Sequence, residues 1–275
     1  MIEIPESRVL ARQINEVIKG KTIREVVPRR SPHKFAWYFQ NPEDYPVLLT
    51  GRKIESAIGI GSMVEINASG AVILFGDGIR LTFHQTESDL PEKNQLLIEF
   101  EDHTYLSAVV LMYGGLWCFP TGRFDNPYYL GSKSKPFALD DSFNTAYFEG
   151  LIENPAVQKA SAKAFLATEQ RIPGLGNGVL QDILFRAGLH PKRKIGTFTP
   201  DEKSFLFEVL KTTLNEMVER GGRDTERDLF GKTGGYQTQM SKNTVGKPCL
   251  RCGETIVKEA YMGGSIYYCP HCQKP

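Results

Sequence analysis

Four cysteines near the end of the chain are spaced for metal chemistry. Cys249-Leu-Arg-Cys252 and Cys269-Pro-His-Cys272 are two C-x-x-C knuckles separated by sixteen residues. Four thiolates at that spacing can meet one Zn²⁺ tetrahedrally, in a closed structural site with no position left for substrate. Between the knuckles, Glu254–Tyr261 and Ile266–Tyr268 alternate like strands, and Met262-Gly-Gly-Ser265 supplies a turn. So small a hairpin has almost no core, and metal binding would supply its folding free energy. Disulfides or redox pairs are the competing interpretation, which a reducing compartment disfavours. Cys118 lies alone in an apolar run and reads as core, and His271 reads as a surface residue.

A second candidate is the stretch Ile172-Pro-Gly-Leu-Gly-Asn-Gly-Val-Leu-Gln-Asp-Ile-Leu-Phe-Arg-Ala-Gly-Leu-His-Pro191. Its pattern predicts a helix ending at Gly174, a glycine-rich turn through Gly176, and a new helix capped by Asn177 and running to Gly188. Unpaired amides at such a helix start, with the helix dipole behind them, can hold a phosphate. Lys192, Arg193 and Lys194 follow the helix, where they could add phosphate contacts. A plain helical corner is the alternative that Gly-x-Gly alone would favour.

The rest of the chain must position these two features. Residues 5–18 predict a helix, with Pro5 in its first turn, Glu3 and Glu6 at its positive end, and Val9, Leu10, Ile14, Val17 and Ile18 on one apolar stripe. From Thr22 to about Phe119 the pattern is a series of short strands, including Met63–Ile66, Ala71–Phe75, Ile79–His84, Gln95–Phe100 and Tyr105–Met112. Their spacing points to an antiparallel sandwich or barrel. Pro120–Ser142 reads as an interdomain linker. Helices are expected from Asn154 to about Thr168 and from Thr199 to Gly221, and residues 222–248 as a polar loop. The aromatic clusters Phe35-Ala-Trp-Tyr-Phe39 and Tyr113-Gly-Gly-Leu-Trp117 could stack on bases, but at strand spacing they are more often core.

The chain's 275 residues can bury a sizeable core and suggest more than one domain. No apolar run approaches a membrane span, and MIEIPESRVL lacks the pattern of a secretory signal, so a cytoplasmic protein without membrane association is expected. The net charge is only +1, yet it is unevenly spread. Residues 1–153 carry 15 Lys+Arg against 20 Asp+Glu, and residues 154–275 carry 18 against 12. A basic C-terminal half is what phosphate contacts need, although solvated faces can also differ by chance.

The 172–191 stretch, the cysteine ribbon and the opening Glu3-Ile-Pro-Glu6 together resemble the formamidopyrimidine-DNA glycosylase and endonuclease VIII family. The order of parts is similar over essentially the whole chain, most closely at Lys163–His190 and Gly246–Gln273. The resemblance implies a multidomain α+β fold. Residues 1–130 would form an N-terminal antiparallel β-sandwich with flanking helices, 131–245 a helix–two-turn–helix domain, and 246–275 a β-ribbon around one structural zinc. It also implies a monomeric base-excision-repair protein that bends duplex DNA carrying a damaged base or abasic site and flips the nucleotide out of the stack. By the same resemblance Asn177, Gly176 and Lys163 face phosphates, Glu3 assists sugar ring opening, and Glu6 is the second glutamate beside it.

Other positions depart from the family pattern. Its chemistry uses an N-terminal amine, usually that of a proline at position 2, as a Schiff-base nucleophile. This chain has Ile2, a poor substrate for Met removal, so Met1 is expected to stay and to offer its own α-amine. That amine would be displaced by roughly 3.3–3.6 Å of chain, where even ~1 Å can cost on the order of a hundredfold in rate. Ile60 stands where the family has a hairpin lysine, Phe75-Gly-Asp-Gly-Ile79 has no bulky tip to insert into DNA, and Met262-Gly-Gly-Ser265 lacks an arginine. Three functions remain open. They are a glycosylase or lyase with atypical chemistry, a damaged-DNA-binding protein without chemistry, and a zinc-ribbon factor for RNA or protein.

Overall fold

Helix α1 (Ile4–Val17) begins where Glu3 leaves the extended conformation, with Pro5 in its first turn. Glu6 reaches back to the Glu3 amide at 3.2 Å, one half of a capping box. Val9, Leu10 and Ile14 are buried, and the chain leaves the helix at the fully buried Ile18. The computed structural model describes residues 1–275.

The next segments are β1 (Ile23–Pro28), β2 (Ala36–Tyr38), α2 (Tyr45–Leu49), β3 (Ile54–Ile60), β4 (Met63–Ala68), β5 (Ala71–Phe75), β6 (Ile79–His84), β7 (Leu96–Phe100), β8 (Tyr105–Val110) and β9 (Gly114–Pro120). They form a four-stranded sheet in the order β1-β7-β8-β6 and a five-stranded sheet in the order β2-β9-β5-β4-β3. All pairings are antiparallel except β2 with β9, which is parallel. Ile66, Ile73 and Phe75 from one sheet meet Leu81, Leu96 and Ile98 from the other, and Leu10 and Ile14 of α1 close the same core.

The glycine- and proline-rich segment after β9 is not the open linker its composition suggests. Asn126 accepts hydrogen bonds from the amides of Tyr128 and Tyr129 at 3.0 and 3.1 Å, starting helix α3 (Pro127–Ser134). Phe124 and Tyr129 then pack on Phe119, Val72 and Leu74, covering the outer face of the five-stranded sheet. Helix α4 (Thr145–Ile152), capped by Asn144, also escaped the periodicity. The expected 154–168 helix is broken: a 3₁₀ turn at Pro155–Val157 precedes α5 (Ala162–Ala167), which Ser161 caps.

Helices α6 (Val179–Ala187) and α7 (Pro200–Glu219) complete a second core of Phe148, Phe165, Ile183, Leu210 and Leu214. Ile4 also belongs to it, so α1 contributes to both cores. The ribbon strands β10 (Val257–Tyr261) and β11 (Gly264–Tyr268) pair antiparallel. Met262 and Gly263 both take positive φ, as a two-residue hairpin turn requires.

The tip of the β3–β4 hairpin meets the glycine turn before α6. Gly61 and Gly174 both have positive φ, and a Cβ on Gly174 would lie 2.1 Å from the Gly61 carbonyl carbon. Ser7 of α1 donates to the Gly61 carbonyl at 2.8 Å, tying the same tip to the helix. Gly174→Ala should therefore lower stability by at least about 2 kcal/mol, whereas Gly131→Ala, which meets nothing within 4 Å, should leave the denaturation midpoint unchanged or raised.

Candidate functional site

Glu3 is 5% exposed and its carboxylate lies at the start of α6 rather than of its own helix. It accepts from the amides of Gly176 at 3.1 Å, Gly178 at 2.9 Å and Val179 at 2.9 Å. Those amides, offered to a phosphate by the sequence reading, therefore hold a protein carboxylate. Helix α6 starts one residue later than expected, with Gly178 at its cap position, and the preceding helix ends at Ala167 rather than Gly174.

A residue that sequence reasoning did not single out neutralises this corner. Arg223 is 2% exposed. It grips Glu6 through Nε at 2.9 Å and Nη2 at 2.7 Å, and its Nη1 stands 3.4 Å from Glu3. Burial works to raise the Glu6 pKa, but the Arg223 charge and its hydrogen bonds hold it below the usual carboxylate range. At Glu3 burial prevails, so that carboxyl is pushed up despite Arg223. Two neighbouring carboxylates are thus driven apart, one kept charged and one able to take a proton more readily. Arg223 itself is driven further toward its charged form by the two carboxylates, against the effect of burial.

Met1 lies beside this network. Its α-amine pairs with Glu226, another residue the sequence left in an undifferentiated loop. Ile2 is 3% exposed within the sandwich core, and its amide donates to the Asp77 carbonyl at 2.7 Å. The position-2 nitrogen is therefore already committed. A cavity of about 270 Å³ opens here, lined by Met1, Glu3, Asp77, Tyr113, Tyr128 and Asn177 among others. Burial pushes the Asp77 carboxyl up. Ile60 is buried with Met63, Leu74 and Phe119, so the hairpin offers only hydrocarbon there. Trp37 and Tyr113, expected as core, are 49% and 38% exposed and stack with centroids 5.5 Å apart. Phe39 and Trp117 from the same clusters do pack inward.

The ribbon is latched to the helical domain through its main chain. Asn177 and Gln181 donate to the Ser265 carbonyl at 2.9 and 3.1 Å, and Lys163 donates to the Tyr261 carbonyl at 2.7 Å. Lys163 is 4% exposed, and burial lowers its pKa. Lys192 pairs with Glu259, and Arg193 with Glu202. The four cysteine sulfurs lie within 4.8 Å of one another, with Cys249–Cys272 at 3.9 Å and Cys252–Cys269 at 3.5 Å. A tetrahedron with ~2.3 Å metal–sulfur bonds has edges of about 3.8 Å, so the set fits one metal ion.

No protein-family model matches the chain. It is 29% identical over 293 residues to the formamidopyrimidine-DNA glycosylase of Neisseria meningitidis serogroup A, covering all of both chains. It is 27% identical over 283 residues to that of Bacillus cereus, covering 99% of each. Among solved structures, the MutM (Fpg) protein of Thermus thermophilus superposes with a TM-score of 0.81 at 26% identity, covering 98% of each chain. Over its whole length the chain is similar in sequence and fold to formamidopyrimidine-DNA glycosylases. The Lactococcus lactis Fpg bound to DNA containing an abasic site shares the family fold, with a TM-score of 0.82 at 21% identity over 99% of this chain.

The pairing of buried Glu6 with Arg223 sets an expected acid response of stability. In the native protein Glu6 contributes stability that is present above the unfolded carboxylate pKa and lost as pH falls through its lowered folded value. Arg223→Met removes the partner of two buried carboxylates and should cost about 3–5 kcal/mol. The variant's carboxyls would then prefer protonation, so its stability should rise as pH falls from about 7 to 5. Urea midpoints should rise across that range in the variant, whereas the Glu6 contribution in the native protein falls only below it, as pH drops under the unfolded carboxylate pKa.

Proposed function

We propose that the protein is a base-excision-repair DNA glycosylase that receives the damaged or abasic nucleotide of duplex DNA in the cavity beside Glu3 and Met1. The observation that carries this is the placement of Glu3. A buried carboxyl with a raised pKa lines the cavity, held by three amides and next to Asn177. In that position it can deliver a proton to the opening sugar and take one back, as general acid–base catalysis needs. Glu6 and Arg223 keep it aimed. Arrangement along the whole chain agrees with relatives called formamidopyrimidine-DNA glycosylases.

Lys163, Asn177, Lys192 and Arg193 are the proposed phosphate-facing set, and Gly176 leaves it because Glu3 holds its amide. The ribbon turn supports this, because at Gly264 an added Cβ would lie 3.4 Å from Lys163 Nζ and 3.6 Å from Asn177 Nδ2. Glycine there lets a nucleotide backbone approach both groups closely. Lys192 and Arg193 would have to share their carboxylate partners with DNA. The metal held by Cys249, Cys252, Cys269 and Cys272 is assigned as zinc, because four thiolates in a closed tetrahedron suit it. No helix is long and apolar enough to cross a membrane, and we place the protein in the cytoplasm with the chromosome.

A duplex with an abasic site should bind more tightly than intact duplex or single-stranded RNA, with affinity falling steeply as salt rises. Fluorescence anisotropy measures this, and equal affinity for the RNA would overturn the assignment. Asn177→Ala should weaken every duplex by about the same factor, on the order of tenfold, as loss of a phosphate contact does. Glu3→Gln should keep abasic-site binding but lose base release by at least about a hundredfold. Cys249→Ser or Cys269→Ser should lose the zinc and DNA binding together, read by elemental analysis beside anisotropy.

A further inference from the structure

Three cavities meet at Met1, and the lysines that line them number one. Lys242 lines two of these cavities, of about 250 and 200 Å³, each shared with Met1 and Glu226. The smaller one also contains Glu3 and Asn177. Lys242 is exposed and makes no ion pair. The α-amine, in contrast, is engaged by Glu226, and the Ile2 nitrogen by Asp77.

The loop carrying Lys242 has no helix or strand, yet the residues just before it are anchored. Asp182 of α6 accepts from the amides of Gln239 at 2.9 Å and Met240 at 2.7 Å. Asp224, next to Arg223, accepts from the Thr238 hydroxyl at 2.7 Å. A lysine tethered two residues beyond such an anchor is a positioned amine on a flexible stem. The anchor belongs to the same helix whose start holds Glu3.

We propose that Lys242 supplies the amine nucleophile of this enzyme. The proposal rests on the glycosylase assignment above. At an abasic site the Lys242 nitrogen adds to C1′ of the ring-opened sugar aldehyde, and the aldehyde oxygen gains a proton from Glu3. The carbinolamine loses water to give an imine, the nitrogen having shed its proton to the cleft carboxylate Glu226. With an intact damaged nucleotide the same attack breaks the glycosidic bond, the base leaving with its bonding pair and taking a proton from water. The C1′–O4′ bond then opens, O4′ taking a proton from Glu3, to give the same imine. Loss of a C2′ proton then expels the 3′-phosphate, and water returns the free amine. No oxidant or cofactor is required.

The test is borohydride trapping on an abasic duplex with the full-length, zinc-loaded protein, followed by peptide mass mapping of the adduct. Hydride adds to C1′ of the imine and fixes it as a secondary amine. We expect the added mass on the peptide containing Lys242, and a loss of trapping of at least about a hundredfold in both Lys242→Ala and Lys242→Arg. The exposed Lys247→Ala should trap like the parent. Binding of the abasic duplex, measured separately, should survive in Lys242→Arg. An adduct on Met1, or on another lysine, overturns the proposal. So does a parent protein that binds the duplex but traps nothing, an outcome that leaves the DNA-binding assignment standing. Failure to bind abasic duplex at all overturns the glycosylase assignment and this proposal with it.

Discussion

Glu3 is a carboxylate at the start of one helix whose charge stabilises the start of another. Its oxygens satisfy three amides of the glycine turn, groups that would otherwise be buried without partners. That geometry demands glycines: an added Cβ on Gly176 would stand 2.6 Å from the Glu3 carboxyl carbon, and one on Gly178 1.9 Å from Arg223. Burying such a charge is costly, and Arg223 together with the positive end of α6 compensates.

The same network explains why the departures from the family pattern need not abolish chemistry. The Glu3 carboxyl, proposed to handle protons, is held by main-chain amides. In the proposed chemistry what has moved is the amine. Ile2 turned the second residue into a core residue, so its nitrogen is a structural donor. Ile60 likewise completed a hydrophobic cluster. Each lost polar group became packing, a trade that favours stability where catalysis has another donor nearby.

Much of the frame was legible because it is local. The apolar stripe of α1, the alternating strands, the Thr199–Glu202 capping box of α7 and the cysteine spacing each follow from neighbours in sequence. Helix α3 carried a readable signal too, since Asn126-Pro127 is an ordinary helix start, but the surrounding glycines and prolines masked it. Arg223, Glu226 and Lys242 were not readable. They sit in a polar loop with no periodicity, and their roles arise from partners far away in the chain. Asn177 was flagged for its position and does lie at the site, yet its amide nitrogen faces the ribbon rather than capping its helix.

The separation between Glu6 and Arg223 is 217 residues, and it sets an order on synthesis. Glu3 and Glu6 leave the ribosome long before Arg223, the charge partner that both of them need. Until then a nascent sandwich carries two acids whose buried places do not exist, and they must remain hydrated at the edge of an unfinished α1. Closure is therefore a late, long-range event of the kind that slows folding. The start of α1, although made early, is thus one of the last parts to settle.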